Sequence, residues 1–309
     1  MEHHPEAGAA GSCWFDVLEA GMLTTVQDYG RAGHASEGVS PSGALDKASY
    51  ELANRLVGNP SGRACLETTL RGPSLRLNGP PGSGVTVAVT GAPAPVMVNG
   101  GPAAFDAAIR IRAGDILAIG TVTAGVRSYL AVRGGFALSP TLDSCSTDLL
   151  SGLGPPPLAR GQSLRLRPPP GVPPVADFAA PPGIEADPVL AVVIGPRDDW
   201  FTPAALATLT SSVWTVTPTS NRVGLRLSGP VLTRRREGEL PPEGVVTGSI
   251  QVPPNGQPLI FLNDHPTTGG YPVIAVLVET ALGHAAQAAP GSTLRLVPTR
   301  PCPSPDPGA

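Results

Sequence analysis

Glycine and proline interrupt short, apolar, β-branched runs along almost the whole of this chain, and that punctuation limits the fold more than any other feature. The sequence holds 38 glycines and 38 prolines, about a quarter of its residues, a level at which disorder is suspected when the two are scattered without pattern. Here they mostly bound runs such as Val85-Thr86-Val87-Ala88-Val89-Thr90. Proline cannot donate to a sheet ladder and glycine supplies the positive φ of tight turns, so these runs read as short strands joined by turns. Further strands are predicted at Trp14 to Ala20, Leu23 to Asp28, Pro95 to Asn99, Ile109 to Ile119, Tyr129 to Arg133, Leu190 to Ile194, Trp214 to Thr217, Leu259 to Leu262 and Val273 to Val278. Their spacing predicts a mainly β protein built of barrels or sandwiches rather than alternating β-α units.

Helices are few. Leu45, Ala48, Leu52, Ala53, Leu56 and Val57 recur at three- and four-residue spacing and predict a helix over Leu45 to Val57, capped by Ser42 and stopped by Gly58-Asn59-Pro60. A shorter helix is predicted to start at Thr202, with Pro203 in its first turn. The prolines between Pro168 and Pro188 mark a linker. The division is therefore an N-terminal β domain over 14–167, a Pro-rich linker over 168–188 and a C-terminal β domain over 189–298. The arm before Cys13 and the Pro-rich tail from Thr299 are expected to be disordered or frayed. A weak repeat links Arg112 to Ile119, Ala159 to Leu166 and Pro290 to Leu296. Each is a glycine turn feeding a short strand, which fits either two similar halves or a common way of starting a hairpin.

Composition excludes some partners. The 309 residues include 41% hydrophobic and only 15% charged ones, with a net charge of −3, so no basic footprint for nucleic acid is expected. Arg234-Arg235-Arg236 is followed by Glu237 and Glu239 and reads as a solvated turn. No run of 18 apolar residues and no apolar leader is present, so a cytoplasmic protein with no membrane span is expected. Cys13, Cys65, Cys145 and Cys302 then read as reduced thiols.

Three polar stretches can carry chemistry. The first runs from Thr24 to His34 and continues from Gly38 to Asp46. It sets Gln27, Asp28, Arg31 and Ser42 on a glycine-rich loop before the predicted helix, whose free amides can hold an anion. Arg31 can grip a carboxylate or phosphate with two parallel hydrogen bonds; alternatively, Asp28 and Arg31 pair with each other and shape the loop. The second stretch holds Gln251 to Pro258 and then Asn263 to Pro272. There Thr267-Thr268-Gly269-Gly270 can turn backbone amides toward one point, an arrangement suited to a developing oxyanion. Asp264 or His265 can transfer protons, with Gln251 and Tyr271 beside the substrate; the alternative is a tight turn capped by Asp264. The third stretch is Ser220 to Leu227, where Arg222 and Arg226, four apart on a predicted strand, point to one face and, with Asn221, form an anion-binding wall or brace a carboxylate. The first two stretches are expected to share one cleft.

Some patterns are missing. There is no GxxxxGK[ST] loop for ATP, no HExxH or spaced Cys/His set for a metal, and no GxSxG. No lysine stands in the setting of a biotin carrier, so no covalently attached biotin is expected on this chain. Lone His284 reads as structural.

Together the motifs TTVQDYGRAGH, GVSPSGALD, ELANRLVGN, VTGAPAPVMVNG, RSYLAVRGGF, STDLL, SNRVGLRLSG, GSIQVPP with NGQP, and TTGGYPVIA resemble the allophanate hydrolase subunit 2 family, also called KipA-like or biotin-dependent carboxyltransferase family proteins. They run in order from about Val17 to Leu296. The resemblance implies two cyclophilin-like β-barrel domains with a few short helices. In bacterial ATP-dependent 5-oxoprolinase, family members are similar to the C-type component. The resemblance therefore implies a KipI-like partner of the B type and a LamB/YcsF-like partner of the A type. In urea carboxylase the relatives of this protein and of its KipI-like partner form the carboxyltransferase part. Two positions depart from the family pattern: Cys145 stands where many relatives have Arg, and Pro266 where many have Gln.

Three functions follow as expectations. The favoured one is a subunit of a 5-oxoprolinase-type amidohydrolase that opens a lactam with ATP and Mg in the complex. The others are the carboxyltransferase subunit of a biotin-dependent urea or amide carboxylase, and a non-catalytic protein that binds the KipI-like partner. For the first, Gln27, Asp28 and Arg31 orient a small amide substrate, Thr267 to Gly270 polarise its carbonyl, and Asp264 moves the proton.

Overall fold

The computed structural model describes residues 12–171, 183–236, 238 and 240–299. The arm before residue 12, the centre of the Pro-rich linker and the tail after Thr299 lie outside these residues, as does Cys302. The chain divides into two compact units. The first comprises the described residues up to Gly33 and from Pro41 to Ile184; the second comprises His34–Ser40 and the described residues from Glu185 onward.

The first unit holds eleven strands: β1 (Trp14–Glu19), β2 (Leu23–Gln27), β3 (Cys65–Thr69), β4 (Ser74–Asn78), β5 (Gly84–Gly91), β6 (Val96–Val98), β7 (Gly101–Ala103), β8 (Ala108–Arg112), β9 (Ile116–Ile119), β10 (Arg127–Val132) and β11 (Ser163–Arg165). They form a six-stranded sheet in the order β11-β1-β4-β9-β6-β7 and a five-stranded sheet in the order β2-β3-β10-β5-β8. The strand predicted over Ile109 to Ile119 is two strands, β8 and β9, because Gly114 turns the chain with φ 98°.

Side-chain alternation explains the layering. In β5, Val87 and Val89 join a core with Phe15, Leu75, Leu77 and Ile111, so the two sheets pack on each other. Between those valines Ala88 faces the other way, as do Tyr129 and Ala131 of β10, against Tyr50, Leu52, Ala53 and Leu56 of helix α1 (Lys47–Leu56). The small alanines let the helix sit close. β10 is thus buried on both faces, and truncating Leu56 to Ala there should cost about 2–5 kcal/mol.

The second unit contains β12 (Val189–Ile194), β13 (Val213–Val216), β14 (Gly224–Ser228), β15 (Glu243–Gly244), β16 (Ser249–Gln251), β17 (Leu259–Phe261), β18 (Thr268–Gly269), β19 (Val273–Leu277) and β20 (Thr293–Pro298). Seven of them close into a barrel in the order β12-β19-β16-β17-β14-β13-β20, with β15 and β18 forming a separate pair. Alternate residues fill the barrel: Leu190 and Val192, Trp214 and Val216, Leu225 and Leu227, Leu294 and Leu296 are all buried. Trp214 donates its indole N–H to the Leu209 carbonyl at 3.0 Å. Gly229 is needed beside it, since a Cβ there would stand 2.6 Å from the indole. The chain is therefore mainly β with few helices. It closes one ring in the second unit and encloses the first unit's core between two sheets.

Helix α2 (Pro203–Ser211) starts as expected, with the Thr202 side chain accepting from the Ala205 amide. Helix α3 (Glu279–Gln287) was not expected; Gly283 and the surrounding alanines hide its period. No helix among the described residues is long and apolar enough to cross a membrane. In the three-fold echo, Gly114, Gly161 and Gly291 all have φ between 85° and 98°. Each sits third in a turn closed by an amide three residues after the accepting carbonyl. Two of these turns lie in the first unit and one in the second, which favours a common hairpin start over a division into halves.

Candidate functional site

Gln27, Asp28, Arg31 and Ser42 come together in the first unit, held by a segment more than 100 residues away in sequence. The loop that carries them is pinched at its base. The Arg31 amide donates to the Pro41 carbonyl at 2.7 Å and the Ala44 amide to the Asp28 carbonyl at 2.9 Å. Gly30 makes this possible: at φ 84° its missing Cβ would lie 2.3 Å from the Pro41 oxygen.

Asp28 is saturated. Its Oδ1 accepts from the Gly30 amide (2.8 Å), Ser144 Oγ (2.6 Å) and Ser146 Oγ (2.6 Å), and its Oδ2 from the Cys145 amide (2.6 Å). The Asp28 amide in turn donates to Ser146 Oγ at 3.0 Å. Gln27 and Ser42 donate to one carbonyl, that of Thr147, each at 2.9 Å. Gln27 Nε2 also donates to Thr25 Oγ1, while its buried Oε1 has no partner.

Arg31 is 2% exposed. Its Nη2 donates to the Ser146 carbonyl at 2.5 Å and its Nε reaches the Thr141 carbonyl at 3.4 Å. Its Nη1 has no partner. Asp28 does not neutralise it, because both Asp28 oxygens face the Ser144–Ser146 backbone and hydroxyls; the expected Asp28–Arg31 pair is not formed. Ser144, Ser146 and Thr147, which organise this site, are not among the site residues expected from the sequence, although Ser146 and Thr147 open the STDLL motif. The run of hydroxyls before Asp148 is the signal that points to them.

The start of α1 differs from the expectation. The helix begins at Lys47 and its cap is Asp46, not Ser42. Asp46 accepts from the Ser49 amide (3.1 Å) and Ser49 Oγ (2.7 Å). Just before it, the Leu45 amide donates to Glu67 Oε2 at 3.0 Å, and Tyr129 donates to the same oxygen at 2.8 Å. The Asp46 carboxylate thus takes the Ser49 amide of the first turn, and Glu67 takes the Leu45 amide just ahead of the helix.

The remaining expected site residues belong to the second unit, where geometry revises several roles. Arg222 and Asp264 form a two-pronged ion pair, Nε to Oδ2 and Nη2 to Oδ1, both at 3.0 Å, with both side chains at most 1% exposed. A carboxylate clamped this way and shielded from solvent is not poised to shuttle protons, so Asp264 is reassigned from proton transfer to bracing. Arg222 precedes β14 and is buried, whereas Arg226 lies within β14 and is exposed. They do not share a face. Asn221 accepts from the Val223 and Gly224 amides at 2.9 and 3.3 Å, an Asx turn leading into the strand rather than part of an anion-binding wall.

Thr267-Thr268-Gly269-Gly270 does not form a nest. Thr268 and Gly269 are extended and pair with Glu243 and Gly244, and neither glycine has a positive φ, so the amides do not converge. Gln251 is buried and donates to the Tyr271 carbonyl at 2.8 Å. Gly269 lacks a side chain because a Cβ would meet Gln251 Nε2 at 2.4 Å. Tyr271 is exposed. His265 is buried, with Nδ1 2.6 Å from the Pro266 carbonyl. The arginine run is also not merely solvated. Arg234 donates to the Val252 carbonyl and lies 5.9 Å over the Tyr271 ring, and Arg236 pairs with Asp199 at 2.8 Å. No group of three or more His, Cys, Asp or Glu among the described residues is placed to hold a metal ion.

Residues 37–298 match the model of the carboxyltransferase domain, subdomain A and B, and the chain belongs to that family. Among individual proteins, it is 35% identical over 289 residues to the C subunit of 5-oxoprolinase from Escherichia coli, covering 91% of this chain and 90% of that one. It is also 35% identical to the urea amidolyase of Lachancea kluyveri, but covers only 17% of that protein. The crystal structure of the K. lactis urea amidolyase superposes with a TM-score of 0.87 at 32% identity, over 96% of this chain and 19% of that one.

Proposed function

We propose that this chain is a substrate-binding subunit of a cytoplasmic, ATP-dependent complex that opens a cyclic amide, 5-oxoproline to glutamate, together with KipI-like and LamB/YcsF-like partners. The observation that carries this reading is Arg31. It is a buried guanidinium that faces carbonyl oxygens and no carboxylate, so its charge is left for a ligand. A substrate carboxylate supplies the missing anion. Gln27, anchored on the same segment, offers an unmatched amide oxygen to a lactam N–H. Both are hydrogen-bond requirements that a substrate lacking them fails to meet. The chain and the 5-oxoprolinase C subunit match over nearly the whole length of each, which supports the 5-oxoprolinase reading.

In this reading the chain binds and orients. Asp28 holds the Ser144–Ser146 segment against Arg31 and does not touch substrate. ATP with Mg serves the assembled complex, since this sequence has no phosphate-cradling GxxxxGK[ST] loop. The carboxyltransferase alternative is favoured by equal identity to urea amidolyase. Reconstitution with the two partner proteins decides between them. Oxoproline-dependent ATP hydrolysis is expected; a complete complex that leaves oxoproline intact but carboxylates urea from carboxybiotin would establish the alternative.

A further inference from the structure

Three arginines are strung along one segment of the first unit, and none has a carboxylate partner among the described residues. Arg63 lays its side-chain stem on Gly135, where a Cβ would come within 2.5 Å of Cδ, and its Nε is buried without a partner. Arg167 donates to the Phe136 and Leu138 carbonyls, both at 3.0 Å. Arg31 follows at Thr141 and Ser146 with its unmatched Nη1. All three lie close enough to the half-buried Cys145 for their charges to act on its thiol. The one carboxylate acting there is Asp28, whose oxygens are already taken.

Burial and then Asp28 push the Cys145 thiol up, while Arg167, Arg31 and Arg63 pull it down, so the thiol itself is not the anion these cations serve. Three guanidiniums against one saturated carboxylate leave an excess of positive charge around a partly sheltered point, together with N–H donors that the protein does not satisfy. We infer that Arg31, Arg63 and Arg167 form a binding site for a small oxyanion, a carboxylate or a phosphate, with Cys145 on its wall. This extends the reading of Arg31 above and rests on it only in taking oxoproline as one of two probes.

The full chain carrying Cys13→Ser and Cys302→Ser keeps Cys145 as its half-exposed thiol, Cys65 being buried. Its alkylation by iodoacetamide is followed by peptide mass spectrometry at constant ionic strength, with inorganic phosphate, 5-oxoproline or chloride added. Saturable slowing of at least about fivefold by phosphate assigns a phosphoryl subsite, and by oxoproline a substrate carboxylate subsite. Either effect should disappear in Arg63→Gln. Slowing no greater than chloride gives, or equal protection in Arg63→Gln, overturns the site. Arg167→Gln replaces Arg63→Gln if the latter does not fold. No ATP or partner is needed, so protection by phosphate alongside a complex inert to oxoproline would retain this site while discarding the proposed reaction.

Discussion

Arg31 and Arg222, at 2% and 1% exposure, are the two most deeply buried arginines among the described residues, and they are buried for different reasons. Arg222 in the second unit meets Asp264 through two hydrogen bonds of 3.0 Å. Arg31 in the first unit meets only backbone carbonyls and keeps one terminal nitrogen unmatched. Taking a guanidinium out of water is expensive, and a facing carboxylate is the usual offset. Arg222 has that offset within the fold. Arg31 lacks it, so folding alone does not account for its place; an anionic ligand does. Arg222 is thus matched within its own unit, whereas Arg31 is left to be matched from outside.

The comparison can be broken by substitution. The largest effect is expected at Asp264→Ala, which strands Arg222 and should lower unfolding free energy by about 3–5 kcal/mol in urea titration. Replacing both partners, Arg222→Met with Asp264→Leu, should recover most of that loss; a double variant as unstable as the single would show that the pair does more than neutralise itself. Next, Asp28→Asn turns an amide N–H toward the Cys145 amide and weakens the other three acceptor contacts. A loss of about 1.5–3 kcal/mol is expected by the same titration.

The smallest effect sharpens the point that unmatched burial leaves a measurable trace. Asp106 is buried with its Oδ1 unpartnered, and desolvation raises its pKa from 3.8 to about 6. The folded chain therefore holds this proton more tightly than the unfolded chain. Its stabilising contribution is complete below pH 3.8 and is lost as pH rises through about 6. Asp106→Asn should gain roughly 1–2 kcal/mol at about pH 7.5 and nothing at about pH 3.5, read as the difference between melting curves at the two pH values. The left-handed φ of 55° at this position suits Asn as well as Asp.

How much of this was legible in the sequence depends on the range of the interaction. β5 and the Thr202 cap of α2 were readable because strand alternation and capping are local. Gln27, Asp28, Arg31 and Ser42 were recognisable as a polar group, and the first unit does gather them. Their partners were not recognisable, since Ser144 to Thr147 lie more than 100 residues on and only the tertiary fold brings them there. Asp264 looked like a proton carrier because its partner, 42 residues upstream, read either as part of an anion-binding wall or as the brace of a neighbouring carboxylate, and only the fold shows that it is the brace and that Asp264 is the carboxylate. Thr268 and Gly269 looked like a nest because glycine pairs permit one; pairing with Glu243 and Gly244 holds them extended instead. Asp46, not Ser42, caps the helix because the helix begins at Lys47, two residues later than expected, and Ser42 donates to the Thr147 carbonyl instead.

The most direct measurement is Arg31→Met, assayed in the reconstituted complex for oxoproline-dependent ATP hydrolysis and alone for unfolding free energy. If Arg31 is kept for an anion, kcat/KM should fall by at least about 100-fold, or ~2.7 kcal/mol. Stability should change by less than about 1.5 kcal/mol, because two carbonyl contacts are lost and a desolvated charge is removed with them. A stability loss matching that of Asp264→Ala, with undiminished turnover by the folded fraction, would make Arg31 a second Arg222 and leave the proposed site without its anchor.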